Sequence, residues 1–543
     1  MKKTTMKIAA LILSLIMTVI CAAPAAFAAD TQAVESDSVI TFTESAASVT
    51  SGSPEGVSVS GTDVKITAAG AYKFTGSCSS GTITVKKNVT GVTLILDNLT
   101  LSASATAPIT CNKGSEVNIV AAAGSVNTLA DDQYNNDDVY TDETAYPDIE
   151  NAVIKCKDGS NVTLCGTGTL NIDSYGKNGI KGGYDLYEED SDGNVTDTLL
   201  STASLTIKDL TLNVTADVND GIKSDKELNI LSGNITVSAA DDGIKSDYTL
   251  NIGAEGTDGP SVTVSKSNEG IEAATLNVYS GNIAVNATDD GINAANSDLT
   301  NYSFSYNQYG GYVYVNCTNG DGIDSNGSVN LTGGTLEVFS PSQGDGDPID
   351  SDKGIVLGGA TVLAVGHNAM MQSYTASTPY VVFGASSSGM GAGGMGPGRN
   401  SANSVSSETE AFGFGNSGTT LVKAGSAIAV KDSSGNTLYS STAVRDASYV
   451  LFASPSLKSG SSYTLYSGSS SVATSAAGSA SSAGNQGGFP GQQGGNVIPG
   501  SPDNSGNTEN TDGSSAFSGI LSFFGNVISW FSRIINWIVG LFA

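Results

Sequence analysis

Positive charge is what this chain has least of. Its 543 residues carry 24 Lys and Arg against 53 Asp and Glu, a formal net charge of −29, and arginine is nearly absent. Such a surface excludes nucleic acid as a partner, because phosphate binding needs clustered Lys and Arg. It points instead to cations, or to neutral ligands met through a cation. One His in the whole chain leaves carboxylate, Lys or Tyr as the available catalytic acids and bases. Charged residues are only 14% of the total, yet apolar residues reach 39%, enough to build a core and to exclude wholesale disorder.

Cysteine is also scarce. Beyond Cys21 near the N-terminus there are Cys78, Cys111, Cys156, Cys165 and Cys317, an odd number at spacings unlike a zinc site. They are expected as small buried residues, with one disulfide, Cys156–Cys165 or Cys111–Cys156, as the alternative.

The two ends differ from the body. Lys2, Lys3 and Lys7 precede a 13-residue apolar stretch, 8–20, which is followed by Ala26-Phe27-Ala28. This is the pattern of an export signal over residues 1–28, too short to span a bilayer comfortably. At the other end, residues 516–543 are rich in Phe, Ile, Leu and Trp. Ser518, Ser522, Asn526, Ser529, Ser532 and Asn536 form a narrow polar stripe at helical spacing. An amphipathic helix is expected there, with contact to a membrane or cell envelope through residues 517–543. Residues 467–515, rich in Gly, Ser, Asn and Pro, are expected as a linker. The expected location is therefore secreted, with retention at the cell surface.

What the chain has in abundance is a repeat. Asn178-Gly179-Ile180-Lys181 is followed by Asp220-Gly221-Ile222-Lys223-Ser224-Asp225 and Asp242-Gly243-Ile244-Lys245-Ser246-Asp247. Then come Glu269-Gly270-Ile271-Glu272, Asp290-Gly291-Ile292-Asn293, Asp321-Gly322-Ile323-Asp324 and Asp347-Pro348-Ile349-Asp350. Successive steps are 42, 22, 27, 21, 31 and 26 residues, the longer ones holding an acidic insertion at 184–201 and a Tyr-rich one at 297–309. Between corners, short runs such as Glu227-Leu228-Asn229-Ile230 and Ile235-Thr236-Val237 alternate apolar and polar residues around Ser232-Gly233-Asn234. That is the signature of half-buried strands joined by turns. Glycine is expected to supply positive φ at the tight corners. A unit near 22 residues with two main strands and a short third is one coil of a parallel β-helix, which is the expected all-β fold of residues 29–366. Residues 367–466 are expected as a loop plus a small β cap over the last coil.

Stacking coils about 4.8 Å apart would line up like charges. Carboxylates that close disfavour joint ionisation, and a hard cation removes the conflict. Calcium, which takes six to eight oxygen ligands, suits the donors on offer. The candidate ligands are Asp220, Asp225, Asp241, Asp242, Asp247, Asp289, Asp290, Asp321, Asp324 and Asp350. Plain turn chemistry of Asp side chains is the competing explanation. A second acidic candidate is the loop holding Asp131, Asp132, Asp137, Asp138, Asp142 and Glu143.

Taken together, the repeated Asp-Gly-Ile-Lys-Ser-Asp, Asn127-Thr128-Leu129-Ala130-Asp131, Asn151-Ala152-Val153-Ile154 and the closing Phe452-Ala453-Ser454-Pro455-Ser456-Leu457 resemble a known family over roughly residues 39–467. It is that of the secreted carbohydrate-binding β-helix proteins of plant-fibre-degrading clostridia. The resemblance implies a right-handed parallel β-helix similar to pectate lyases. It also implies bound calcium at the corner aspartates, and binding of cellulose and acidic pectin without cleavage. The motif is altered at Asn178, Glu269 and Asp347-Pro348.

Three functions compete. A non-catalytic binder of plant cell-wall polysaccharide would use the Asn stripe, Asn229, Asn251 and Asn277, with Lys223 and Lys245, and tyrosine platforms. A calcium-dependent pectate-type lyase would need Lys223 or Lys245 as base. A surface adhesin would use the coils as a stalk.

Overall fold

The computed structural model describes residues 35–478 apart from 184–186, 190–194, 200, 201, 300, 343–345, 368–371, 373 and 385–419. The expected export signal and C-terminal helix lie outside these residues. All regular elements described are strands, 34 of them joined in one extended sheet.

Its pairing resolves into three ladders, each parallel through the repeats. A corner ladder follows the Asp-Gly-Ile motif through Ala152–Cys156, Asn178–Gly182, Ile222–Ser224, the first residues of Ile244–Ile252 and of Ile271–Val278, Ile292–Ala294 and Ile323–Ser325. An amide ladder runs through Ser204–Ile207, Glu227–Ile230, the last residues of Ile244–Ile252 and Ile271–Val278, Ser305–Gln308, Ser328–Leu331 and Ile355–Leu357. A third ladder passes through Thr211–Ala216, Asn234–Ala239, Ser261–Lys266, Asn282–Ala287, Tyr312–Cys317, Thr335–Phe339 and Thr361–Gly366. The chain visits the three in turn, coil after coil, an all-β arrangement consistent with a β-helix.

Alternation explains the core. Ile180, Ile222, Ile244, Ile271, Ile292, Ile323 and Ile349 are all buried and stacked in register. Leu228, Leu250 and Leu276 stack likewise in the amide ladder. Parallel ladders give each apolar residue like neighbours above and below, so repetition of one residue type becomes a continuous interior row.

The corner glycines serve a different purpose from the one expected. None of Gly221, Gly243, Gly270, Gly291 and Gly322 has positive φ. A Cβ at Gly243 would lie 2.7 Å from the carbonyl oxygen of Gly270 and 2.5 Å from a Val264 methyl. The same crowding recurs at Gly291, against Gly322 O at 2.6 Å and Val315 at 2.1 Å. Glycine is required because the next coil passes too close for any side chain. The turns between the amide and third ladders do use left-handed glycine, as at Gly233 (φ 99) and Gly281 (φ 111).

Three segments depart from expectation. Ser305–Gln308, placed in an insertion by sequence, is a coil strand, and Tyr306 fills the interior position with its hydroxyl donating to Gln308 at 3.1 Å. The coil pattern continues past Gly366, because Tyr374–Ala376 adds another strand to the amide ladder. Ser470–Ala476, in the stretch expected as linker, pairs with Ser462–Ser467 in an antiparallel four-stranded sheet with Ala427–Asp432 and Thr437–Thr442. Val472 and Thr474, two residues apart, are the β-branched residues of this Ser- and Ala-rich edge strand. Tyr449–Ala453 pairs antiparallel with Thr361–Gly366, ending the third ladder. All five described cysteines are free thiols, and Cys111 lies in register with Cys156 on neighbouring coils of the corner ladder.

Candidate functional site

The outward column of the corner ladder changes sign along its length. Lys155, Lys181, Lys223 and Lys245 stand in register and are followed by Glu272, Asn293 and Asp324. Beside it run the corner carboxylates, whose backbone contacts repeat. Asp220 Oδ1 accepts from the Asp242 N–H at 3.3 Å, and Asp290 Oδ1 accepts from the Asp321 N–H at 2.7 Å. Asp321 Oδ1 accepts from the Asp347 N–H in the same way. One oxygen of each of these carboxylates thus ties its coil to the next, a bond between coils rather than within a turn.

Carboxylates converge in three groups, each with one oxygen per residue within 4.8 Å of the others: Asp220, Asp241 and Asp242; Asp242, Glu269 and Glu272; and Asp321, Asp324 and Asp350. The first two share a resident cation. Lys245 Nζ lies 2.7 Å from Asp242 Oδ2 and 3.1 Å from Glu272 Oε2. Burial opposes the Lys245 charge, but Asp242 and Glu272 outweigh it and hold the ammonium well above its ordinary range. The surrounding acids exceed the one ammonium. Burial, with the charges of Asp220 and Glu269 added, pushes Asp242 up to about 8 despite Lys245. Burial and the Asp242 charge push Glu272 up to about 9.

The third group has no ion pair to Lys or Arg among the described residues. Burial, then the charges of Asp290, Asp324 and Asp350, push Asp321 up to about 8 against its backbone N–H bond. Burial, Asp290 and Asp350 push Asp324 up to about 7. Asn293 Oδ1, one ladder step away, is buried without a hydrogen-bond partner. An all-oxygen set of three crowded carboxylates fits a hard divalent cation of the calcium kind.

The other expected ligands sit elsewhere. Asp225 and Asp247 face Lys223, whose Nζ lies 4.0 and 3.5 Å from them, so an ammonium rather than a metal is their near neighbour. Asp289 and Asp290 lie outside the three groups. Glu269 and Glu272 join them although the sequence marked their repeat only as an altered one. In the acidic loop, Asp131 accepts from the Tyr175 and Gly176 N–H groups at 2.7 and 3.2 Å. Asp132 holds Ala105 N–H, and Asp137 and Asp138 pair with Lys177. This second metal candidate is a set of turns and ion pairs.

The Asn stripe is committed to itself. Asn251 donates to Asn229, Asn277 to Asn251 and Asn307 to Asn277, each at 2.9 Å, and Asn330 donates to Asn307 at 2.8 Å. Much of the hydrogen-bonding capacity of Asn229, Asn251 and Asn277 is therefore spent along the ladder.

Comparison with known proteins finds three partial likenesses. Residues 60–299 match the family model described as carbohydrate-binding domain-containing protein. Over 144 residues the chain is 33% identical to a carbohydrate-binding domain-containing protein of Acetivibrio thermocellus, an alignment covering 26% of this chain. The chain spans about half, 47%, of that curated relative's length. A solved structure of a polysaccharide lyase-like protein from C. thermocellum, a gadolinium derivative, aligns with 59% of this chain and 96% of its own at 22% identity and a TM-score of 0.33.

Proposed function

We propose that this is a secreted, non-catalytic polysaccharide-binding protein whose right-handed parallel β-helix, capped by the four-stranded sheet, carries calcium at Asp321, Asp324 and Asp350. The observation that carries the reading is this acidic group around Asp324, beyond the last lysine of the outward column. Bound calcium would offset the crowded charge and attract carboxylates of acidic plant cell-wall glycans, which the bare protein at −29 would repel. Asp290 and Asp321 meanwhile hold the backbone of the following coil, keeping the donors in place. The sequence features of residues 1–28 and 517–543 support export and retention at the cell surface.

Lys223 and Lys245, the two lysines expected as lyase bases, argue against that chemistry. A base must reach its neutral form, yet Lys245 is held charged between two carboxylates and Lys223 sits beside Asp247. Pull-down on insoluble pectin and cellulose, with calcium and with chelator, tests the proposal. Retention that chelator reduces is expected, and absence of retention on either material overturns it. Release of unsaturated uronides from polygalacturonate, followed by ultraviolet absorbance, would restore the lyase.

A further inference from the structure

A cleft opens to solvent away from the corners, where the amide ladder turns into the third ladder. It holds about 440 Å³, within the size range of small-ligand sites, and its lining comes from three successive coils. The turns that border it differ in length. Three residues, 231–233, join Glu227–Ile230 to Asn234–Ala239, and three, 279–281, join Ile271–Val278 to Asn282–Ala287. The coil between them uses eight, 253–260, before Ser261–Lys266. That longer turn is tied down by Ser280, whose Oγ accepts from the Ala254 N–H at 3.1 Å, donates to Ala254 O at 2.9 Å and lies 3.1 Å from Thr257 Oγ1. Its last residues, Asp258, Gly259 and Pro260, line the cleft. Glycine keeps the backbone there bare. A Cβ at Gly259 would lie 2.5 Å from Gly281 N, and one at Gly281 would lie 2.6 Å from Pro260 O.

The polar lining is a column. Asn234, Ser261 and Asn282 stand in register on the three coils, all exposed and all lining the cleft. Tyr312 continues the column one coil further and is 36% exposed, with its hydroxyl anchored on Glu337. Asn229, Asn251 and Asn277 spend their amides on one another, whereas Asn234, Ser261 and Asn282 make no side-chain hydrogen bond among the described residues. Their donors and acceptors are free for sugar hydroxyls. Coils advance about 4.8 Å, close to the advance of one sugar in an extended β-1,4-linked chain, so a glycan laid along the column meets one polar side chain per sugar. No Lys or Arg lines the cleft, and Asp258 does. A uronate would find a like charge there and no counter-charge, so the lining suits a neutral glycan.

We propose that this cleft binds a neutral glycan segment along Asn234, Ser261 and Asn282, with the C–H face of a further sugar packed on Tyr312. The inference rests on the polysaccharide-binding reading but does not need the metal.

Calorimetric titration of the full chain with cellohexaose and, separately, polygalacturonate tests it. The proteins are wild type, Ser261→Ile, the double variant Asn234→Ala with Asn282→Ala, and Tyr312→Ala. Ser261→Ile fills the cleft from an exposed strand position that accepts a β-branched residue. Each variant is expected to weaken cellohexaose binding by about tenfold or more and to leave polygalacturonate binding within about twofold. If Tyr312→Ala does not fold, the other two decide, since their positions are exposed. Unchanged cellohexaose affinity in those two overturns the cleft as the binding site. An equal loss for both glycans overturns its assignment to a neutral one. Wild type that binds polygalacturonate but not cellohexaose sinks the inference and leaves the proposed function standing. Wild type that binds neither sinks both.

Discussion

Lys245 Nζ lies 2.7 Å from Asp242 Oδ2, one ladder step before its column turns acidic at Glu272. The same corner geometry therefore meets its excess charge in two ways. Up to Lys245 ammonium groups of the protein itself lie among the carboxylates. Beyond it, at Asp321, Asp324 and Asp350, no Lys or Arg pairs with the acids among the described residues, and the proposed calcium would take that place.

Lys245→Met should leave Asp242, Glu269 and Glu272 without their shared cation. In chelator the variant is expected to lose about 3–5 kcal/mol of stability, the typical result of stripping one partner from a buried pair. Denaturant unfolding measures it, and wild-type stability in the variant would mean that the ammonium is a bystander.

Metal-free protein should become less stable as pH rises. Asp324 and Asp321, at about 7 and about 8, ionise less readily when folded than the ordinary carboxylate value of about 4 in the unfolded chain. Folding therefore takes up protons. The penalty is absent below about pH 4, grows through the interval and is complete above about pH 8. Melting temperature in chelator should fall across that interval by several degrees, and calcium should flatten the slope. A rise in the same window would contradict the crowding at the third group.

Much of this was visible in the residue pattern. The stacked isoleucines from Ile180 to Ile349 were legible because an interior row repeats its residue type at each coil. Less legible was which charged side chains meet across coils, and where an insertion returns to the coil. Asp225 and Asp247 look like their neighbours in sequence, yet they flank Lys223. Glu272 joins Asp242 only because the ladder places it one step beyond Lys245. Tyr306 hid a coil strand because an aromatic took the place that isoleucine or leucine holds elsewhere.

Asn251→Ala should separate structure from recognition in the amide ladder. It removes a donor to Asn229 and an acceptor for Asn277. A stability loss of about 1–2 kcal/mol is expected, with glycan retention unchanged. Loss of retention at full stability would return the Asn stripe to the binding site.

Gly243→Ala should cost about 1–3 kcal/mol through overpacking, although alanine fits the backbone conformation. The added methyl meets Gly270 O and Val264. Thermal unfolding measures it, and a neutral result would mean that neighbouring coils separate more easily than the close approach implies.

The central claim is that Asp321, Asp324 and Asp350 hold a divalent cation. Titrating calcium into chelator-stripped protein and into Asp324→Asn by calorimetry tests it most directly. A binding heat in wild type that is lost or weakened about tenfold or more in the variant is the predicted result. Equal heats in both proteins, or none in wild type, would contradict it.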